Sequence, residues 1–418
     1  MFQKLIKVFP ADEVTTVNPD EVDPISVGLL PEDIKAIWSS VTSLYKGGLH
    51  PSMALCIRRR GQVVLDRTIG HSHGNSPDQK KVFPKQKADL NTYFNLFSAS
   101  KAITAMLIHL LDERRLLHLD DAVTHYIPDF GRNGKQHITI RHILTHRAGV
   151  PNIKMDGNPL EIISNQAEVL ERLCDTTPSS RAGRTLAYHA ITGGFVLGEI
   201  IERVTGQTPR EFLQTEISDP LGLKQFNYGV RPEETPNVAV HAYTGPPPKR
   251  PFKWFLERSL GADIRTAVKL SNDFRFLTEI IPSANIISTA NEAGLFFELL
   301  LRRGELNGVR IFSPRTIERA LSEQSYLEFD STLMMPIRYS MGFMLGGKYA
   351  SFYGFDSAKA FGHLGFTNVL TYADPQRDIS VAFLNSGKPF ITVKLLPWLN
   401  VMRVIAQRIP KQPAPGWR

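Results

Sequence analysis

The chain has 418 residues, 42% hydrophobic and 22% charged, the composition of an ordinary soluble globular protein. Its net charge is +8, but with no Lys/Arg tract and no zinc-ligand spacing the sequence excludes an obvious nucleic-acid partner. No apolar run approaches the roughly 18 residues of a membrane span.

Two cysteines in unrelated contexts, Cys56 and Cys174, argue against a disulfide framework and for a reducing compartment. The start, MFQKLIKVFPADEV, is interrupted by Lys4 and Lys7 and offers no small-residue cleavage site, so it reads poorly as a signal peptide. The expected location is the cytoplasm. Peripheral attachment to a membrane is the alternative, because a basic surface can meet anionic lipid.

Residues 1–28 read as an irregular arm. LLPEDIKAIWSSVTSLYKGG predicts a helix, with Pro31 at its first position and Gly47-Gly48 at its end. SMALCIRRRGQVVLDRTIG alternates apolar and polar residues around Arg60-Gly61, the mark of a hairpin. NLFSASKAITAMLIHLLDE, Asn95 to Glu113, predicts a buried helix that begins near Ser98. Residues 101–284 are mainly helical, with ITGGFVLGEIIERVTG a clear case. They are interrupted by the proline-rich AYTGPPPKRPFKWF. Its Lys249, Arg250, Lys253, Trp254 and Phe255 suit a lipid headgroup boundary or the border of an acyl pocket. FTNVLTYADPQRDISVAFLNSG forms a second hairpin through Asp374-Pro375, and LLPWLNVMRVIAQRI an amphipathic helix. Strands at both ends with helices between them predict an α+β fold. Residues 29–100 and 285–410 would share one antiparallel sheet, residues 101–284 would form an inserted helical domain, and 411–418 a tail.

Chemistry concentrates at the start of the buried helix. Ser98 and Lys101 lie three residues apart and share a face. Free backbone N–H groups and the positive end of the helix dipole lie beside Ser98. A lysine at the head of so apolar a helix is partly desolvated, which favours the neutral amine. Such an amine can take the proton of a neighbouring serine. The bland alternative is a capping serine beside a solvated lysine. Spacing alone does not decide, since Ser43 and Lys46 repeat it just before Gly47 ends a helix. A rival nucleophile is Ser72 in Gly70-His71-Ser72-His73-Gly74, which matches G-x-S-x-G. That elbow needs a helix directly after it, and NSPDQKK with Pro77 does not supply one, so Ser72 reads as a strand-end residue. His142 and His146 lack the glutamate of a zinc-binding H-E-x-x-H and read as packing residues.

LFSASK, ITIRHILTHRAGVP, YHAITGGFVLGEIIERVTG, SANIISTANEAGLFFELLLRRGELNG and FGHLGFTNVLTYADP occur in this order over roughly residues 30–400. The pattern resembles the serine β-lactamase-like superfamily, with the class C β-lactamase fold, and most of all the family VIII carboxylesterases. The resemblance implies Ser98 as the acylated nucleophile, Lys101 as its proton partner and Tyr188 as the proton-exchanging phenol, with either Lys101 or the Tyr188 phenolate as the base that takes the serine proton. His363 would support the tyrosine oxygen by a hydrogen bond. It also implies an oxyanion hole from the backbone N–H groups of Ser98 and Phe366, with Gly365 admitting substrate close to the backbone. No metal or cofactor is implied. Two departures point away from β-lactams. Ala190 stands where β-lactamases carry an amide side chain, and His363 where they usually carry lysine. The expected function is therefore hydrolysis of a small-molecule carboxylic ester through an acyl-enzyme. The alternatives are an acyltransferase with the same site, a β-lactamase or D-peptidase, and a non-catalytic binding protein.

Overall fold

Alternation along the two hairpins sorts their side chains onto opposite faces, and the fold is built on that sheet. The computed structural model describes residues 4–79, 84–247, 263–390 and 396–417. Lys249, Arg250, Lys253, Trp254 and Phe255 lie outside the described residues. The main strands are β1 (Thr15–Val17), β2 (Ser52–Arg59), β3 (Gln62–His73), β4 (Ser325–Asp330), β5 (Met335–Tyr339), β6 (Met344–Leu345), β7 (Phe361–Gly365), β8 (Val369–Asp374) and β9 (Ile379–Asn385). They lie in the order β1-β3-β2-β9-β8-β7-β6-β5-β4, with Gln86–Lys87 pairing beside β3. Every pairing is antiparallel. The central pair, β2 with β9, runs from Met53 opposite Asn385 to Arg59 opposite Ile379 and joins the two ends of the sequence.

The longer helices are α1 (Pro31–Lys46), α2 (Ser100–Glu113), α3 (Thr192–Thr205), α4 (Ala290–Leu301) and α5 (Leu396–Arg408). Met53, Leu55 and Ile57 of β2 share one buried cluster with Ile37 and Val41 of α1 and Val401 and Ile405 of α5. The alternate residues Ala54 and Cys56 join the opposite cluster, with Phe296 and Phe297 of α4. Cys56 and Cys174 are both free thiols and buried. Helix α2 is buried from Ser100 to Asp112, because Ala, Ile, Leu and Met occupy nearly every side of it. A small sheet of Phe94–Asn95, Ile286–Ser288 and Phe226–Tyr228 ties the entry to α2 to the helical region.

The fold corrects the expected irregular N-terminal arm. Thr15, Thr16 and Val17 of the arm pair with Ile69, Thr68 and Arg67 and form an edge of the sheet. Three residues show no periodicity to read, and the hydrogen bonds of a partner strand make them a strand. The tail is also packed: Trp417 donates from Nε1 to the Leu301 carbonyl at 2.7 Å and stacks on Phe361. Among the described residues no helix is long and apolar enough to cross a membrane.

Candidate active site

The turn into α2 is fixed by backbone bonding before any side chain acts. Leu96 donates its N–H to the Ile286 carbonyl at 2.8 Å, and Phe97 donates to Asn95 Oδ1 at 2.7 Å. Ser100 Oγ accepts the N–H of Ile286 at 2.9 Å. These ties hold Phe97 at φ +49°, in the left-handed region that non-glycine residues rarely adopt. Ser98 follows in a single 3₁₀ turn, Phe97–Ala99, and α2 starts at Ser100. The nucleophile candidate thus stands two residues ahead of the helix, half-buried, on a strained backbone.

Lys101 lies within the first turn of α2, 9% exposed. Its Nζ lies 2.6 Å from the Ala190 carbonyl, 3.1 Å from the Ser283 carbonyl and 3.3 Å from Ser98 Oγ. Burial lowers its pKa from the ordinary lysine value to about 7. A neutral amine has two N–H donors and one lone pair. The two carbonyls occupy the donors, which leaves the lone pair for the Ser98 hydroxyl.

Tyr188 sits on an irregular segment ahead of α3, where no strand ladder holds it. Three successive N–H groups are anchored instead. Ala187 donates to the His146 carbonyl at 3.0 Å, Tyr188 to Asp330 Oδ1 at 3.1 Å, and His189 to His146 Nδ1 at 3.2 Å. Lys101 Nζ lies 4.9 Å from the ring centroid of Tyr188. Burial raises the phenol's pKa well above the ordinary tyrosine value; the Ser98 hydroxyl opposes this and the Asp330 charge adds to it.

The strand motif brings a correction. His363 is buried, but its Nδ1 is bonded to the Leu364 carbonyl at 2.8 Å, and its ring lies 6.2 Å from that of Tyr188. The expected hydrogen bond from His363 to the tyrosine oxygen is not among the bonds formed. Because a carbonyl only accepts, Nδ1 carries the proton and Nε2 keeps a bare lone pair. Burial, helped by the nearby Lys101 charge, lowers the pKa of His363 to about 3, so the ring is neutral at physiological pH. Gly365 ends β7 against the chain's own backbone: a Cβ there would lie 2.2 Å from the Leu96 carbonyl. The close approach that requires glycine is therefore made by the Ser98 turn itself. Phe366 follows, its ring 5.4 Å from Phe97.

Ser98 opens into a cleft of about 720 Å³, partly open to solvent, whose walls include Met155, Ile163, Leu270, Phe276 and Phe366. Among the described residues that line it, only Ser98 and Ser271 bear polar side chains.

The rival residues fall elsewhere. Ser72 is the penultimate residue of β3, bonded to Gln86 O and His73, with a turn and no helix in the described residues directly after it. His142 bonds Thr139. The helix predicted to carry both histidines ends at Leu144, and His146 lies beyond it at φ +58°, its ring 4.7 Å from that of Tyr188. Sequence reasoning gave no role to His146, Ser283 or Asp330 at this site. Ser283 acts through its carbonyl, which carries no side-chain signature, and Asp330 lies 142 residues from Tyr188.

Comparison with known proteins identifies the family and the fold. The family model described as Beta-lactamase matches residues 41–398. The Esterase/beta-lactamase LipL of Mycobacterium tuberculosis is 24% identical over 337 residues, which is 75% of this chain and 74% of LipL. A penicillin-binding protein homolog from Caulobacter crescentus superposes with a TM-score of 0.76 at 25% identity, covering 91% of this chain and 99% of its own. A family VIII carboxylesterase structure gives 0.74 at 20% identity, covering 90% and 98%. The chain belongs to the β-lactamase family and is a serine hydrolase of that fold.

Proposed function

We propose that the protein hydrolyses carboxylic esters through an acyl-enzyme on Ser98. The observation that carries this reading is the Lys101 amine, 3.3 Å from Ser98 Oγ, buried, with its pKa lowered to about 7. Near neutral pH a large share of it is unprotonated and able to take the serine proton. The raised pKa of Tyr188 keeps that group a phenol, so Lys101 is the base and Tyr188 the acid. The oxygen anion would be held by the backbone N–H groups of Ser98 and Phe366. Tyr188 would protonate the departing alcohol; the phenolate so formed would take a proton from the water that attacks the acyl carbon, and Lys101 would return its proton to Ser98 Oγ as the acid leaves.

Ester rather than β-lactam is favoured by three features. The lysine partner at position 190 is a backbone carbonyl in place of an amide side chain. His363 is neutral and cannot anchor a carboxylate by charge. The cleft walls are apolar and suit an uncharged acyl chain.

The test is a p-nitrophenyl ester series with wild type, Ser98→Ala and Ser72→Ala, alongside a chromogenic cephalosporin. Turnover of esters by wild type and Ser72→Ala, lost in Ser98→Ala, is the expected result. Faster turnover of the cephalosporin than of any ester would favour a β-lactamase. Transfer to an added alcohol in preference to water would favour an acyltransferase.

A further inference from the structure

We infer that Asp330 is a positioning residue that holds Tyr188 in line with Ser98, an inference that rests on the acid role proposed for Tyr188. Asp330 ends β4 and is fully buried. Its Oδ1 accepts three backbone N–H groups: Thr332 at 2.8 Å, Leu333 at 2.9 Å and Tyr188 at 3.1 Å. Its Oδ2 accepts the Tyr339 hydroxyl at 3.3 Å. Among the described residues no basic side chain forms an ion pair with it; the nearby Arg147 pairs with Glu328 instead. A buried carboxylate is held by hydrogen bonds here, and a third of those to Oδ1 come from the tyrosine segment.

The placement explains why that segment needs help. Tyr188 lies outside any helix or strand, so its N–H has no ladder partner. The hairpin of β4 and β5 reaches it twice: through Asp330, and through Ser331, whose N–H meets the Leu186 carbonyl at 3.0 Å. Ile337 and Tyr339 of β5 pack in one cluster with Tyr188 and Leu186. The hairpin is thus a splint laid along residues 186–188, and Asp330 is its rivet. Its negative charge also opposes phenolate formation, which keeps the resting group a phenol.

The bland alternative is that Asp330 only caps its own turn. A double-mutant cycle on the full chain separates the two, with kcat and KM for one p-nitrophenyl ester and a melting temperature for each variant. Tyr188→Phe should lower kcat by about 100-fold or more. Asp330→Ala should lower kcat by about 100-fold with KM within about threefold, because a misplaced acid fails only in the chemical step. On the Tyr188→Phe background, Asp330→Ala should add less than about threefold. An equal penalty on both backgrounds would overturn the proposal, since turn capping acts alike on each. A Tyr188→Phe variant with unchanged kcat would instead refute the acid role beneath it.

Should Asp330→Ala fail to fold, Asp330→Glu enters the same cycle with the same expectation. It keeps the charge and moves the oxygens by one methylene. Asp330→Asn keeps an oxygen at the Oδ1 position and should hold kcat within about fivefold. A hundredfold loss with Asn would show that charge, not placement, is what Asp330 supplies, and would overturn the proposal.

Discussion

Lys101 and Lys388 are two of the buried lysines among the described residues, and their surroundings differ in one respect that decides function. Lys101 and Lys388 both have pKa values lowered by burial, Lys388 well below the ordinary lysine value. Both lie over an aromatic ring, Lys101 4.9 Å from that of Tyr188 and Lys388 4.7 Å from that of Phe97. Both bond carbonyl groups. Lys388 donates to the Asn385 carbonyl at 2.8 Å and to its Oδ1 at 3.3 Å. Its charged form would also meet the buried His50 and His241. Lys101 alone faces a hydroxyl that opens into a cleft. A lowered pKa therefore does not make a base; a proton to accept and room for a substrate do.

Substitutions sharpen this contrast. The largest effect is expected from Ser98→Ala, a loss of about 10⁴-fold or more in kcat for a p-nitrophenyl ester. Lys101→Met should lower kcat by about 10²–10⁴-fold, whereas Lys388→Met should leave it within about tenfold, because no proton transfer is removed. Equal losses from the two lysine variants would break the comparison.

Stability against pH should treat the lysines alike. A buried lysine with a pKa of about 7 binds its proton less tightly than the unfolded chain does. The penalty is complete below about pH 7 and fades as pH rises towards the unfolded value of 10.5. Relative to wild type, Lys101→Met should therefore be more stable at pH 6 than at pH 9, by on the order of 2–3 kcal/mol. Lys388→Met should show the same sign. Urea unfolding at the two pH values measures it, and a difference that grows with pH would contradict the burial.

A smaller effect separates the two backbone contacts. A Cβ on Gly365 would lie 2.2 Å from the Leu96 carbonyl, and one on Gly387 2.0 Å from the Leu49 carbonyl. Gly365→Ala and Gly387→Ala should each lower stability by about 1–3 kcal/mol. Only Gly365→Ala displaces the Ser98 turn, so only it should also reduce kcat of the folded fraction. Melting curves and active-site titration distinguish the outcomes.

How far the site can be read from sequence follows from what each residue does. Ser98 and Lys101 were legible because spacing and an apolar helix are local signals. Tyr188 and His363 became legible through the order of motifs. The hydrogen bond expected of His363 was not, because its Nδ1 is bonded to the next residue's carbonyl. The lysine's two other partners are the main-chain oxygens of Ala190 and Ser283, which any residue type would supply. The contact of Gly365 with the Leu96 carbonyl was not legible for a similar reason, since nothing local announces it. At the level of fold, the two hairpins and the terminal helices follow from periodicity. The strand Thr15–Val17 and the docked Trp417 depend on distant partners and show no pattern of their own.

The central claim is that a buried, partly neutral Lys101 activates Ser98. Its most direct test is the rate at which a fluorophosphonate labels Ser98 as a function of pH, in wild type and in Lys101→Met. The account predicts a rate that rises through about pH 7 in wild type and is low and without that step in Lys101→Met. A wild-type rate that is flat or falling across that range, or labelling unchanged by Lys101→Met, would contradict it.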